Sequence, residues 1–536
     1  MRFATRHRMT EISLAAARCY SDPFNDVALD VVFRAPDGSE QVVPAFWAGE
    51  DIWKVRYAPA QVGQYRYRSQ CSNPADGGLH DQAGELEVRS YEGSNPLFQH
   101  GPLRVSGSRR HLEHVDGTPF FWLGDTWWHG LTDRLGWPGD VQTLAADRAA
   151  KGFSVVQIVA GLLPELVANR FWSEWSANAG GWAWEEGFSR INPRFFDEAD
   201  LKIEHLVRVG LVPCLVGAWG YYLKYVGVER MKQHWRYLVA RYGAYPVIWC
   251  LAGELNMPVY DSRRREEESR ELKAGWTEVA RYLREVDPYH HPVTAHPSRP
   301  DSREMVEDET LMDVDMLQTG HNYASLEPTI RYVQDCVARW PRYPVLIGEV
   351  CYEGEYGSNW QDLQRFFFWT SMLSGCAGHT YGANGIWQAN TPQRYFTGIR
   401  TYGDASWHEA MQLPGSGQLG LGKRFLEHYP WWQLEPRQEP DWDPGERISP
   451  FAAGIPGRLW LIYLAGEAFD RKFWGLMGRE IAIEPGAAYR AFYFNPRDGK
   501  RTDLGSVQPG LDGRWPVPTK PTREDMILIL KERETR

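Results

Sequence analysis

What this chain lacks narrows its function before any motif is read. Long apolar runs are missing: near the N-terminus only ISLAAA is apolar, short for a signal-peptide core and far below the ~20 residues of a bilayer-spanning helix. Paired cysteines are missing too. The seven cysteines are odd in number, show no C-x-x-C spacing, and several sit inside apolar segments such as LVPCLVG and IWCLAGE. There a thiol serves as a small hydrophobe. Together these absences predict a soluble protein of a reducing compartment, the cytoplasm. An excess of positive charge is absent as well: 59 basic against 69 acidic residues leave a net charge of -10. That argues against a nucleic-acid or anionic-membrane surface and leaves neutral or cationic small molecules and polysaccharides as partners. No low-complexity tract and no internal repeat appears.

Aromatic residues, by contrast, are abundant. There are 25 Trp, 26 Tyr and 22 Phe among 536 residues, and many of the tryptophans fall outside apolar runs. Sugars present flat C–H faces edged by hydroxyls, which suit indole platforms flanked by polar groups. The length predicts two or three domains. Residues 1–95 alternate apolar and polar positions between turns, as in DVALDVVF, APDG and GQYRYRS, the pattern of a small β-sandwich. Residues 96–435 change character. Short apolar strands (FFWLGDT, SVVQIVA, LVPCLVGAW, PVIWCLAGE, HPVTAHP, DMLQTGHN, PVLIGEV, GCAGHTYGAN) alternate with longer amphipathic segments. One of these, NPRFFDEADLKIEHLVRVG, repeats Phe195, Ala199, Ile203, Leu206 and Val207 at helical spacing. Eight near-continuous apolar strands in β–α order predict a parallel (β/α)₈ barrel. A doubly wound sheet would want a glycine-rich phosphate turn after its first strand, and FFWLGDTWW has none. Residues 436–536 return to alternation and predict a second β-sandwich. The fold class is therefore α/β, a (β/α)₈ TIM barrel flanked by all-β sandwiches.

In such a barrel the C-terminal strand ends build the active-site face. In order they offer Asp125, Gln157, Trp219, Glu254, His296, His321 with Asn322 and Tyr323, Glu349, and His379, Thr380 and Tyr381. Two glutamates stand out. Glu254 and Glu349 each follow an apolar strand, where a carboxylate is costly unless it is partnered or functional. Strands four and seven lie across the barrel mouth from each other. Glycosidic cleavage needs one carboxylic acid to protonate the leaving oxygen and one carboxylate to attack the anomeric carbon. Glu254 is thus the predicted acid/base and Glu349 the predicted nucleophile, about 5–5.5 Å apart. The bland alternative, each Glu held by an Arg at a strand end, accounts less well for the pair than for either alone.

His296, His321 and His379 raise a third possibility, a metal-dependent barrel hydrolase. Such sites commonly use H-x-H on one strand or H-E-x-x-H on a helix. Strand one ends GDTWWHG with a single His129, so no metal or other cofactor is predicted. His321 and Tyr323 are predicted instead to hydrogen-bond Glu349 or sugar hydroxyls. Loop aromatics, Trp127 and Trp128 after strand one, Trp172, Trp175, Trp182 and Trp184 after strand two, Trp219, Tyr221 and Tyr222 after strand three and Trp387 after strand eight, are candidates to line a sugar pocket. Asp125, Gln157 and Tyr381 complete the expected substrate-binding set.

The segments PFFWLGDTWW, INPRFFDEADLKIEHLVRVGLVP and WCLAGELN resemble the apiosidase-like glycoside hydrolases, part of the clan-A set of (β/α)₈ retaining enzymes. The segments VPAFWAGEDIWKVRYAP and VGQYRYRS are similar to the β-sandwich ahead of such barrels. The C-terminal region is similar to the β-sandwich labelled collagen-binding in these proteins, a label that implies no function here. The resemblance implies an acid/base after strand four and a nucleophile after strand seven, again Glu254 and Glu349. Many clan members carry Asn before the acid/base, contacting the sugar 2-hydroxyl, where this sequence has Gly253. The expectation is a retaining, exo-acting glycosidase taking a small glycoside or oligosaccharide. A catalytically silent carbohydrate-binding protein is the alternative beside the metal-dependent hydrolase.

Overall fold

The computed structural model describes residues 2–164, 171–259, 262–298, 300–394, 402–437, 451–469 and 480–533. Its N-terminal part is two antiparallel-rich sheets face to face. One has five strands, in the order Arg2–Thr5, Ala83–Arg89, Gly63–Cys71, Leu29–Arg34 and Glu40–Pro44; the other has three, Thr10–Ala15, Ile52–Tyr57 and Phe46–Gly49. Alternation decides which side is buried: in Leu29–Arg34 the residues Leu29, Val31 and Phe33 turn inward. Phe33 from one sheet stacks on Tyr57 from the other, with centroids 3.9 Å apart.

These sheets are fastened to the central barrel by buried polar contacts. Arg56 donates to Asp200 and to the Arg241 carbonyl on two barrel helices, Arg236 pairs with Asp30 at 2.7 Å, and Tyr237 donates to the Trp47 carbonyl. A guanidinium this deep is tolerated because carboxylate and carbonyl oxygens meet its donors.

The barrel has eight parallel strands: Trp122–Thr126, Val155–Val159, Val212–Val216, Ile248–Cys250, Val293–Thr294, Asp315–Gln318, Val345–Glu349 and Gly378–Tyr381. Strand one pairs with both two and eight. The seam between strands five and six is joined by the Asp313 amide to the Val293 carbonyl at 2.8 Å and by the Thr294 hydroxyl to the Val314 carbonyl. Both faces of the strands are covered, so Val155–Val159 and Val345–Glu349 are buried throughout. Helices follow most strands, among them Gly139–Lys151, Pro193–Arg208, Val228–Tyr242, Arg265–Val286, Leu326–Ala338, Gln361–Leu373 and Pro414–Glu427.

The expected β–α alternation fails at one place. Between strands five and six the described residues form only two short 3₁₀ turns, Ser302–Met305 and Glu309–Leu311. Asp301 and Asp308 cap these turns, accepting from the amides of Glu304 and Thr310. Prolines 297 and 300 limit the segment further by removing amide donors.

The C-terminal part is a six-stranded sheet, Glu435–Arg437, Phe451–Ile455, Leu459–Leu464, Met526–Glu532, Tyr489–Phe494 and Arg501–Ser506, with a two-stranded partner, Glu480–Ala482 and Arg514–Pro516. Tyr489, Ala491, Leu528, Ile481 and Trp515 fill the space between them. Buried Arg365 of the barrel pairs with Asp525 at 2.8 Å, and Phe425 stacks on Phe494. Among the described residues no helix is long and apolar enough to cross a membrane.

Candidate active site

Glu349 is the last residue of strand seven, so the strand itself aims it at the barrel mouth. Glu254 arrives differently. Strand four stops at Cys250, and the chain continues in extended pairing: the Gly253 amide donates to the Ala218 carbonyl, the His296 amide to Ala252, and the Gly220 amide to Gly253. Glu254 then takes a left-handed backbone, φ 45°, a strained choice for a residue with a Cβ and one that collects at functional sites.

One amide side chain spans the two acids. The Gln318 Nε2 donates to Glu349 Oε1 at 3.0 Å and lies 3.3 Å from Glu254 Oε1. A register shift between strands six and seven sets Gln318 directly opposite Glu349. Re-aiming a side chain is a common use of such an irregularity beside an active site.

Glu349 is ringed by donors. Besides Gln318, the Tyr352 hydroxyl donates to Oε2, His296 Nε2 lies 3.3 Å from Oε2, and His321 Nε2 lies 3.2 Å from Oε1. Burial pushes this carboxyl's pKa up, but the imidazoles of His296 and His321 outweigh burial and hold it well below the usual carboxylate range. Burial pushes the His321 imidazole down, yet Glu349 on one side and Glu355 on the other lift it to about 11. Tyr352, buried beside Glu349, is pushed well above its ordinary value and so keeps its proton to donate.

Glu254 has an aromatic neighbour. Trp219 Nε1 donates to its Oε2 at 3.2 Å. The same indole explains Gly253: a Cβ there would sit 2.3 Å from Trp219 Cε3. Trp219 occupies the space into which a side chain before Glu254 would point.

Trp128 meets Trp219 edge-on at 5.5 Å and His296 at 5.2 Å, while Trp387 lies beside Tyr352 and Tyr402. These rings pack against one another and against the side chains that contact the two glutamates. From Glu254, Gln318 and His321 a cleft of about 1070 Å³ opens outward, past Asn256, Arg265, Asn322 and Tyr356.

The structure thus brings Glu254, Glu349, Trp128, Trp219, His321 and Trp387 together. Five expected substrate contacts are placed elsewhere. Asp125 is fully buried and accepts from the Thr126 amide, Trp127 Nε1 and Arg148 Nε; it anchors an internal Arg rather than a sugar. Trp127 spends its N–H on that carboxylate and packs in the core. Gln157 reaches across the barrel interior to the Gly348 carbonyl at 2.8 Å and braces Glu349 from beneath. Tyr381 is buried and donates to Glu353. Tyr323 turns out to solvent and stacks on Phe469 of the C-terminal part; Tyr352 takes the place beside Glu349 expected of it.

The other loop aromatics pack around the strand-two and strand-three loops. Trp172 lies on Phe188, Trp175 under Arg134, Trp184 against His234, and Tyr221 stacks on Tyr222. Trp182 is partly exposed and donates to the Ser173 carbonyl. His379 is buried against Phe368, where burial pushes its pKa down to about 3. Among the described residues no group of three or more His, Cys, Asp and Glu side chains could hold a metal ion.

Sequence reasoning missed Gln318, Tyr352 and Glu355. The signal for Gln318 was its place as the last residue of strand six. Tyr352 and Glu355 sit in the irregular loop CYEGEYGSN, whose course no periodicity reveals.

A parallel eight-stranded barrel thus brings two glutamates together over one amide at its C-terminal mouth, and the family match makes the chain a glycoside hydrolase. The apiosidase-like catalytic-domain model matches residues 106–433, and the chain belongs to that family. A domain of unknown function, DUF5060, matches residues 4–72. No curated protein matches the chain. Among solved structures, a glycoside hydrolase is 23% identical with a TM-score of 0.65, covering 82% of this chain and 99% of its own. A glycoside hydrolase family 5 structure from Bacteroides vulgatus is 23% identical with a TM-score of 0.67, covering 82% and 95%. A second Bacteroides vulgatus structure, 17% identical with a TM-score of 0.72, covers 99% of this chain and 100% of its own. These likenesses are of fold.

Proposed function

We propose that this enzyme is a retaining, exo-acting glycosidase, with Glu349 as nucleophile and Glu254 as acid/base, that releases a terminal sugar from a glycoside or oligosaccharide. The observation that carries this reading is Gln318 Nε2, 3.0 Å from one carboxylate and 3.3 Å from the other. Those two oxygens can be no further apart than the two distances combined. Such an approach is compatible with the ~5–5.5 Å between the carboxyl groups of retaining enzymes and lies near the lower edge of the ~6.5–9.5 Å of inverting ones.

Glu349 Oε attacks the anomeric carbon as the bond to the leaving oxygen breaks, and Glu254 gives that oxygen its proton. The glycosyl–Glu349 ester is then cleaved by a water that Glu254 deprotonates, restoring both side chains. Donors around Glu349 keep it ionised before attack. Exo action is part of the proposal: the cleft opens outward on the Glu254 side, where a leaving group would extend.

Hydrolysis of a panel of aryl glycosides, furanosides included, tests the activity. Proton NMR of the first-formed sugar tests the mechanism. Release of the inverted anomer would sink the covalent route, and hydrolysis abolished by a chelator would favour a metal-dependent reaction instead.

A further inference from the structure

The strand-seven loop carries a third carboxylate that the mechanism above does not use. Glu355 is buried, 2% exposed, and its Oε2 lies 3.2 Å from His321 Nδ1. The other nitrogen of that ring, Nε2, lies 3.2 Å from Glu349 Oε1. His321 therefore stands between two carboxylates, one on each ring nitrogen. A neutral imidazole has one N–H and would turn a lone pair toward one of them; only the imidazolium can donate to both.

Among the described residues His321 is the only cation within ion-pair distance of Glu355. A buried carboxylate without a partner is strongly disfavoured, so Glu355 and His321 depend on each other. The loop that delivers Glu355 is itself over-determined. Cys351, Tyr356 and Asn359 all take left-handed backbone, at φ 34°, 55° and 60°. Gln364 Nε2 ties the Cys351 and Asn359 carbonyls together, and Asn359 Nδ2 donates to the His321 carbonyl at 2.8 Å. Strained backbone persists only where surroundings hold it, and such places collect at active sites.

We propose that Glu355 is a positioning residue that fixes His321 as a cation with its Nε2 turned to Glu349, so that the nucleophile faces a permanent positive charge. The proposal rests on the reading of Glu349 as nucleophile. Titratable groups facing this triad are His296 beyond strand five, Glu254 beyond strand four, Cys351, Tyr352 and Tyr356 in the same loop, and Tyr402 after strand eight. The two carboxylates lift His321 to about 11 against the opposing pull of burial, whereas burial raises Glu355 above its ordinary value and the contact with His321 only partly offsets it.

The test is a titration of the full-length protein carrying ¹⁵N-labelled histidine, with His321 identified by the signal lost in His321→Asn. In the unaltered protein both ring nitrogens of His321 stay protonated from pH 5 to above about pH 9. In Glu355→Gln, which keeps the shape and removes the charge, the midpoint comes down to about pH 7–8. On an aryl glycoside, kcat/KM of that variant gains a step of roughly tenfold at the same pH, because a charge-assisted contact to Glu349 is replaced by a neutral one. Glu355→Asp, which retains the charge, restores the high midpoint. An unaltered His321 that loses its proton near its ordinary value overturns the proposal, as does a Glu355→Gln protein whose His321 stays protonated throughout. The titration needs no substrate. A protein that hydrolyses no glycoside but titrates as described would refute the glycosidase reading and leave the ion-paired triad standing.

Discussion

The two glutamates at the barrel mouth are held in opposite ways. Glu349 ends a fully buried strand and is surrounded by Gln318, Tyr352, His296 and His321. Glu254 lies four residues past a three-residue strand, on left-handed backbone, beside Trp219 and at the edge of the open cleft. The difference matches the work proposed for each. A nucleophile must stay ionised and aimed, which a ring of donors achieves. An acid/base must lose and regain a proton within one turnover and meet a leaving group and then a water, which requires an open side.

Removing the tightly held partner gives the largest effect. Glu349→Ala should lower kcat by about 10⁴-fold or more on every substrate that the enzyme cleaves, since no neighbouring group can form the ester in its place. Steady-state rates on activated and unactivated glycosides check this; a leaving-group-dependent loss would transfer the nucleophile's role to another residue. Glu254→Ala should instead discriminate. In kcat/KM, which reports formation of the glycosyl–enzyme ester, poor leaving groups need protonation and should slow by about 10²–10⁴-fold while activated aryl glycosides change little; their kcat should still fall, because Glu254 no longer deprotonates the water. A uniform loss across a leaving-group series would break the comparison between the two acids.

The donors around Glu349 give a pH signature. Tyr352→Phe removes the hydroxyl that donates to Oε2. A lowered carboxyl pKa means the ionised form is favoured, so loss of a donor lets the pKa rise toward its ordinary value. The acid limb of kcat/KM should then move to higher pH, and the rate at low pH should fall by roughly 10–100-fold, the worth of one hydrogen bond to a charged group. A profile superimposable on that of the unaltered enzyme would show that the imidazoles and Gln318 suffice.

Sequence reading reached the two acids because each breaks an apolar run, VLIGE and WCLAGE, at a strand end. The same rule failed at Asp125, whose partner Arg148 lies on the following helix and faces inward against Phe153 and Tyr381. Periodicity shows that a helix is amphipathic. It does not show that one of its basic residues turns to the core, and so a paired, internal carboxylate looks like a free one. Tyr381 misled for the same reason, being paired with Glu353 from the next loop over. Tyr323 and Tyr352 exchange places because the turns at Gly320 and through residues 351–359 decide which ring meets Glu349. The missing helix between strands five and six reflects local capping by Asp301 and Asp308, which short apolar patterns cannot reveal. Barrel, flanking sheets and strand order were all visible as alternation against continuous apolar runs.

The smallest expected effect lies on the Glu254 side and concerns a residue with no side chain. Gly253 lets the Trp219 indole lie where a Cβ would come within 2.3 Å of its ring, and that indole donates to Glu254 Oε2. Trp219→Phe removes the donor while keeping an aromatic ring against Trp128, and should lower kcat on poor leaving groups by about tenfold. Gly253→Ala leaves every polar group in place, but its methyl must push the indole aside, because the atoms it meets belong to a rigid ring. It should therefore reproduce most of the Trp219→Phe loss. If both act through the same hydrogen bond, the double variant should be scarcely worse than either single one, a strong departure from additivity for residues in contact. Measured kcat values for the four proteins of this cycle settle the matter. Additive losses, or a Gly253→Ala enzyme with the original rate, would mean that Trp219 serves as a wall and that the acid/base is positioned by Gln318 and its own strained backbone.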